Sequence, residues 1–206
     1  MRVVVVTGGL GAGKSTAAEY FRSLGAVTLD LDEVAAKLLA PGTALLGRVA
    51  DAFGGDGVLL ADGRLDRSAL ARVAFATPEA TQRLNAIVHP AVAHEVADAV
   101  GMLRLAAEPP FAVVIEAPLL AEAPALAEIA DVVLAIVAPE SLRVARADQR
   151  GIPEDEARRR VSRQASDAQR AELAHDVIVN DRSAEEFREA LGRFWETYVA
   201  LGNGAR

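Results

Sequence analysis

An α/β fold, a parallel sheet of five strands flanked by helices, is what this sequence predicts, on three observations. The first is a β-branched run, "VVVV" at 3–6, that breaks into glycines and then into a helical segment. The second is a set of further apolar runs, "AVTLD" (26–30), "FAVVIE" (111–116), "VVLAIV" (132–137) and "DVIVN" (176–180), separated by alanine-rich helical stretches. Strands that alternate with helices build parallel βαβ units with right-handed crossovers. The third is the first break itself, where Gly8, Gly13, Lys14 and Ser15 fit G-x-x-x-x-G-K-S/T, a pattern that belongs between a strand and a helix.

Val3 to Val6 has no polar alternation, as expected of a strand buried on both faces. The helix after it is expected over 15–24. Between them, Gly8, Gly9, Gly11, Ala12 and Gly13 let the backbone turn tightly with its N–H groups inward, where side chains would obstruct a phosphate. The helix start at Lys14, Ser15 and Thr16 adds unpaired N–H groups and a positive dipole end. Lys14 then reaches the β- and γ-phosphates of a nucleoside triphosphate, and the Ser15 hydroxyl is a candidate Mg²⁺ ligand. Only Lys14 and Lys37 are lysines among 22 basic residues, so a lysine at this position stands out.

The 206 residues suffice for one globular unit with a small insertion. A net charge of −7 argues against a general nucleic-acid binder, whose affinity comes from neutralising phosphates. The absence of cysteine excludes disulfides, thiolate metal sites and cysteine nucleophiles. No run has the length of a signal-peptide core or a membrane span, so the expected setting is the cytoplasm. The expected partners are small molecules, without nucleic acid or membrane, and the expected state is a monomer.

From Asp32 to Pro110 the pattern is helical with no strong strand, far more than a crossover needs. It reads as an inserted, mostly helical acceptor-binding domain at 32–110, the nucleotide-binding core being 1–31 with 111–206. Within it, "FGGDGVLLADGRLD" (53–66) reads as a turn-rich centre with a short hairpin or loop. A second insertion, about 145–166, breaks at Gly151 and restarts as a helix with Pro153 in its first turn. Arg150, Arg158, Arg159, Arg160 and Arg163 lie in or beside it. Such a run is either a solvated helix face or, in a triphosphate-binding protein, a mobile lid.

Three classes of phosphate-loop protein compete. A guanine-specific switch needs an N-K-x-D or T-K-x-D element, and Lys37 sits instead in "AAKLLA". A motor or DNA-handling ATPase finds some support in Glu116, an acid ending "FAVVIE", but little in a short acidic chain. A small-molecule kinase, with a helical insertion for the acceptor and a lid over ATP, fits the layout best. In "TLDLDE", Thr28, Asp30 and Asp32 alternate onto one face at the carboxyl end of the second strand, where open parallel sheets bind ligands. Asp32 is the candidate base for an acceptor hydroxyl, and Asp30 or Asp32 a candidate holder of a Mg²⁺-bound water. Either could instead cap the next helix, a reading that weighs equally with function for Asp30 and behind it for Asp32.

Several separated motifs together resemble the dephospho-CoA kinase family over nearly the whole chain. "TGGLGAGKST" is similar to its phosphate loop and "LDLDEVA" to its acidic segment. "GRLDRSALARVAF" and "LNAIVHP" resemble its insertion signatures, "APLLAE" its D-x-P-L-L-x-E element, and "RADQRG" with "RRRVSRQ" its lid. The resemblance implies transfer of the ATP γ-phosphoryl to the ribose 3′-hydroxyl of dephospho-CoA, with Mg²⁺ as cofactor. It implies Asp32 as base, Lys14 with Arg146 or Arg150 as charge stabilisers, Arg67, Asn85 and His89 in the acceptor site, and Asn180 near the adenine. The chain departs from the family pattern at Glu116, one methylene longer than aspartate, at Ala121, in a lid one residue shorter, and at His175, Val179 and Arg182. His89 and His94 have no metal-site spacing; Pro90 disfavours helical geometry at His89, and His94 and His175 read as structural.

Overall fold

The computed structural model describes residues 1–118, 120 and 125–201, with the side chains of Asp56 and Ala125 left aside. Ala121, one of the departures noted above, lies outside the described residues. Among the described residues five strands form one parallel sheet in the order β2-β3-β1-β4-β5. They are β1 (Arg2–Gly8), β2 (Val27–Asp30), β3 (Ala112–Glu116), β4 (Val132–Val137) and β5 (Asp176–Val179). The chain divides into two compact units, residues 1–30 with 100–206, and residues 31–99.

In the first unit β1 is central, and Val3 to Val6 are fully buried, which is why the run needs no polar alternation. α1 (Lys14–Ser23) returns along the sheet and buries Ala17, Ala18 and Phe21. α10 (Ala184–Trp195) covers the same core with Phe187, Leu191, Phe194 and Trp195, and the Phe21 and Trp195 rings stack at 5.4 Å. Ser183 starts α10 with a reciprocal capping box to Glu186. The carboxyl ends of the strands converge by register: Val6 stands beside Glu116, and Glu116 beside Asp30. His175 extends β5 by one step, since its backbone N–H donates to the Val133 carbonyl and its Nδ1 accepts from the Val133 N–H.

The second unit is helical. α2 (Leu31–Leu38) comes directly after β2, and α3 (Ala44–Phe53) is capped by the Thr43 hydroxyl, which accepts from Leu46 N–H. A 3₁₀ turn at Gly55–Val58 and an antiparallel bridge between Leu59 and Leu65 make the turn-rich centre the sequence predicts. Asp66 then caps α4 (Arg67–Ala74), accepting from Ser68 N–H and Ala69 N–H, both at 2.9 Å. Val49, Phe53, Val58, Leu70 and Ala74 form this unit's core. α5 (Pro78–Arg104) runs on into the first unit and holds Pro90 in its interior. The expected non-helical geometry at His89 is therefore corrected: His89 is helical. The restriction before proline is a preference, and a long helix anchored on both sides of Pro90 overrides it.

After β3 come α6 (Ala125–Ile129), α7 (Glu140–Asp148), α8 (Glu154–Arg163) and α9 (Asp167–Glu172). Gly151, at φ 86°, makes the break between α7 and α8, and Pro153 is the N-cap of α8 rather than part of its first turn. Among the described residues no helix is long and apolar enough to cross a membrane.

Candidate phosphate-binding site

The loop between β1 and α1 is tied down by its neighbours at nearly every step. Gly13 is the N-cap of α1 at φ 114°, a left-handed conformation that side chains disfavour. A Cβ there would also press on the Asn180 amide and the Phe187 ring. Lys14 folds back so that its Nζ donates to the Gly9 carbonyl at 3.1 Å, which lays the ammonium over its own loop. Ser15 is exposed at the helix start, and its hydroxyl faces the Glu116 carboxyl at the end of β3 closely enough to favour the ionised form. Thr16 is exposed beside it.

Glu116 is half-buried, and burial pushes its carboxyl above the ordinary range. The negative charge of Asp30 pushes the same way, while the Ser15 hydroxyl and the charges of Lys14 and Arg22 oppose it. The strand register thus assembles two carboxylates and a serine hydroxyl at the carboxyl edge of the sheet. Glu116, both a departure from the family pattern and the acid that ends "FAVVIE", stands beside Asp30 at this edge.

Arg146 and Asn180 close the loop from the other side. Asn180 is buried, directly after β5, and its Nδ2 donates to the Ala12 carbonyl at 2.8 Å. Arg146, half-buried on α7, donates to the Asn180 backbone carbonyl at 3.1 Å and to its Oδ1 at 3.3 Å, with the Gly11 carbonyl at 3.5 Å. Both ends of the Asn180 amide are thus engaged with the loop and its supports. A cavity of about 460 Å³, lined by residues that include Asn180, Arg182, Ser183, Glu186 and Phe187, opens beside it.

Arg143, which the sequence reading misses, lies three residues before Arg146 and is 5% exposed. Its Nε donates to the Leu10 carbonyl at 3.0 Å, in the middle of the loop. The guanidinium occupies the space a Cβ at Gly9 would take, and its backbone crowds the Cβ position of Gly11. The available signal was those two glycines, which the motif itself does not require. A buried arginine and a solvated one look alike in composition.

Arg150 is exposed in the turn after α7. On α8, Arg158 pairs with Glu154 at 2.6 Å, and Arg160 pairs with Glu156, each four residues back on an exposed face. Asp32 is exposed in the first turn of α2. Arg67 lies at the start of α4, while Asn85 and His89, one turn apart on α5, are half-buried. His94 is exposed and lies 3.5 Å from Asp98.

A parallel sheet whose first strand feeds a glycine-lysine-serine loop, with an acid on the neighbouring strand and arginine support, defines a P-loop phosphotransferase. The family model described as dephospho-CoA kinase matches residues 2–186. A dephospho-CoA kinase of Corynebacterium jeikeium is 41% identical, over 95% of this chain and 98% of its own. Among solved structures, a Thermus thermophilus protein is 31% identical with a TM-score of 0.74, covering 95% of this chain and 97% of that one. The dephospho-CoA kinase from Campylobacter jejuni, 24% identical with a TM-score of 0.70 over 97% of this chain and 98% of its own, shares the fold. This chain belongs to the dephospho-CoA kinase family.

Proposed function

We propose that the protein transfers the γ-phosphoryl group of ATP to the ribose 3′-hydroxyl of dephospho-CoA, giving CoA and ADP, in the cytoplasm. The observation that carries the reading is the glycine loop with the Lys14 ammonium folded over it, donating to the Gly9 carbonyl at 3.1 Å. Family membership supplies the acceptor.

The triphosphate lies along the loop N–H groups and the start of α1, with Lys14 moving from the Gly9 carbonyl to the β- and γ-phosphates. The adenine occupies the cavity beside Asn180, whose volume is ample for a base. Asp32 accepts the 3′-hydroxyl proton as that oxygen bonds to the γ-phosphorus, and the bond from the γ-phosphorus to the ADP oxygen breaks. Arg146, with Arg150 from the lid, neutralises charge on the transferring group. Arg67, Asn85 and His89 orient the acceptor.

Ser15, Glu116 and Asp30 are hard oxygen donors, a set that fits Mg²⁺, which prefers one or two carboxylates plus waters and substrate phosphates. Ser15 would hold the ion directly and the carboxylates through water, and the ion supplies charge neutralisation on the β- and γ-oxygens.

The test is ADP release with ATP and Mg²⁺, comparing dephospho-CoA with adenosine, AMP, shikimate and gluconate. Turnover that depends on dephospho-CoA, with CoA as product, is expected. An ATP-binding protein that turned over another of these acceptors instead would overturn the reading.

A further inference from the structure

Two side chains outside the phosphate loop, Arg143 and Gln164, hold its middle residue, Leu10, in a fixed pose. Besides its bond to the Leu10 carbonyl, Arg143 donates from Nη2 to Gln164 Oε1 at 3.2 Å and from Nη1 to Asp167 Oδ1 at 3.3 Å. Gln164 Oε1 also accepts from Leu10 N–H at 2.9 Å. The Leu10 peptide therefore has its donor and its acceptor satisfied by two side chains that also bond each other. The Leu10 side chain packs on Val144, Ala147, Ala157 and Val161, the small core shared by α7 and α8. Each guanidinium nitrogen of Arg143 has a protein acceptor, so this arginine serves as scaffold for the loop. Arg146, whose bonds go to Asn180 and to the edge of the loop, is differently engaged.

We propose that Arg143 and Gln164 are positioning residues for the nucleotide: they fix the phosphate loop from outside in the shape that binds the triphosphate. Converging N–H groups bind an anion well only when they are held in place beforehand. Arginine suits the task because its planar fork meets three acceptors in fixed directions, which the single rotating ammonium of lysine does not. The inference rests on the reading that this loop holds ATP.

The test uses the full chain, as wild type, Arg143→Lys, Gln164→Leu and the double variant. ATP with Mg²⁺ is titrated calorimetrically, and KM is measured separately for ATP and for dephospho-CoA. Each single variant is expected to weaken ATP binding about tenfold, the usual effect of stranding a buried polar partner. The double is expected to lose little more than either single, because the two act as one unit. KM for dephospho-CoA is expected to stay near wild type, and the thermal midpoint of Gln164→Leu to fall only slightly. If Arg143→Lys does not fold, Gln164→Leu decides alone. Unchanged ATP affinity in a folded variant, when the wild type binds ATP, would overturn this inference and leave the proposed function standing. Equal losses in ATP affinity, acceptor KM and thermal midpoint would make the pair a plain fold element and also overturn it. A wild type that bound no ATP would overturn the proposed function and this inference together.

Discussion

Two consecutive helices, α7 and α8, carry arginines that do opposite things. On α7, Arg143 is buried and Arg146 half-buried, and both donate to the phosphate loop or to the residue that braces it. On α8, Arg158 and Arg160 are exposed and answered by glutamates one turn earlier. Exposed pairs of that kind contribute little and are screened by salt. A buried guanidinium is different, because removing it leaves loop carbonyls without their donor. The comparison separates a dense arginine run, which mostly solvates itself, from two sparse arginines that shape the site.

The largest effect is expected at the loop itself. Lys14→Ala should lower kcat/KM by more than about 10³-fold, since it removes the cation at the transferring group; near-normal turnover would detach the loop from the chemistry. Asp32→Asn comes next, with kcat expected to fall about 10²- to 10⁴-fold while ATP titrates as in wild type. That result would show that the helical unit contributes chemistry and the α7-braced loop contributes nucleotide affinity. A variant with weakened ATP binding and normal kcat would erase the distinction.

The smallest effect is on stability. The folded-state pKa of Glu116 is raised, chiefly by burial and then by Asp30. Between its ordinary and raised values the folded protein binds more protons than the unfolded one, so this group's contribution to stability declines as pH rises. Glu116→Gln removes that slope. Its thermal midpoint relative to wild type should therefore rise from acid pH up through the raised pKa and then level off. A difference independent of pH would mean that burial does not govern this carboxylate.

The parts of the molecule legible in the sequence are those whose signals are local. The unbroken valines of β1 announce a doubly buried strand, and Gly8, Gly13, Lys14 and Ser15 announce the phosphate loop and the helix after it. The ends of β2, β3, β4 and β5 fall within one residue of expectation, because short β-branched runs bounded by turn and helix signals mark strands. The helical geometry at His89 was not legible, since tertiary packing along α5 outweighs a dipeptide preference. The contact of Arg143 with Leu10 and the approach of Ser15 to Glu116 were not legible either. Each joins residues roughly a hundred or more positions apart, and only the sheet order β2-β3-β1-β4-β5 brings them together. Gln164 and Asn180 were visible as side chains in a motif, but the loop peptides they hold were not.

The central claim is that α7, rather than the arginine run of α8, completes the nucleotide site. It is tested most directly by measuring kcat/KM for ATP in Arg146→Ala beside the double variant Arg158→Ala with Arg160→Ala, at one salt concentration. The account predicts a loss of about 10²-fold for Arg146→Ala, typical of a lost charge-stabilising donor, and a change within about twofold for the exposed pair. The opposite order, a large loss from the α8 double and little from Arg146→Ala, would contradict it.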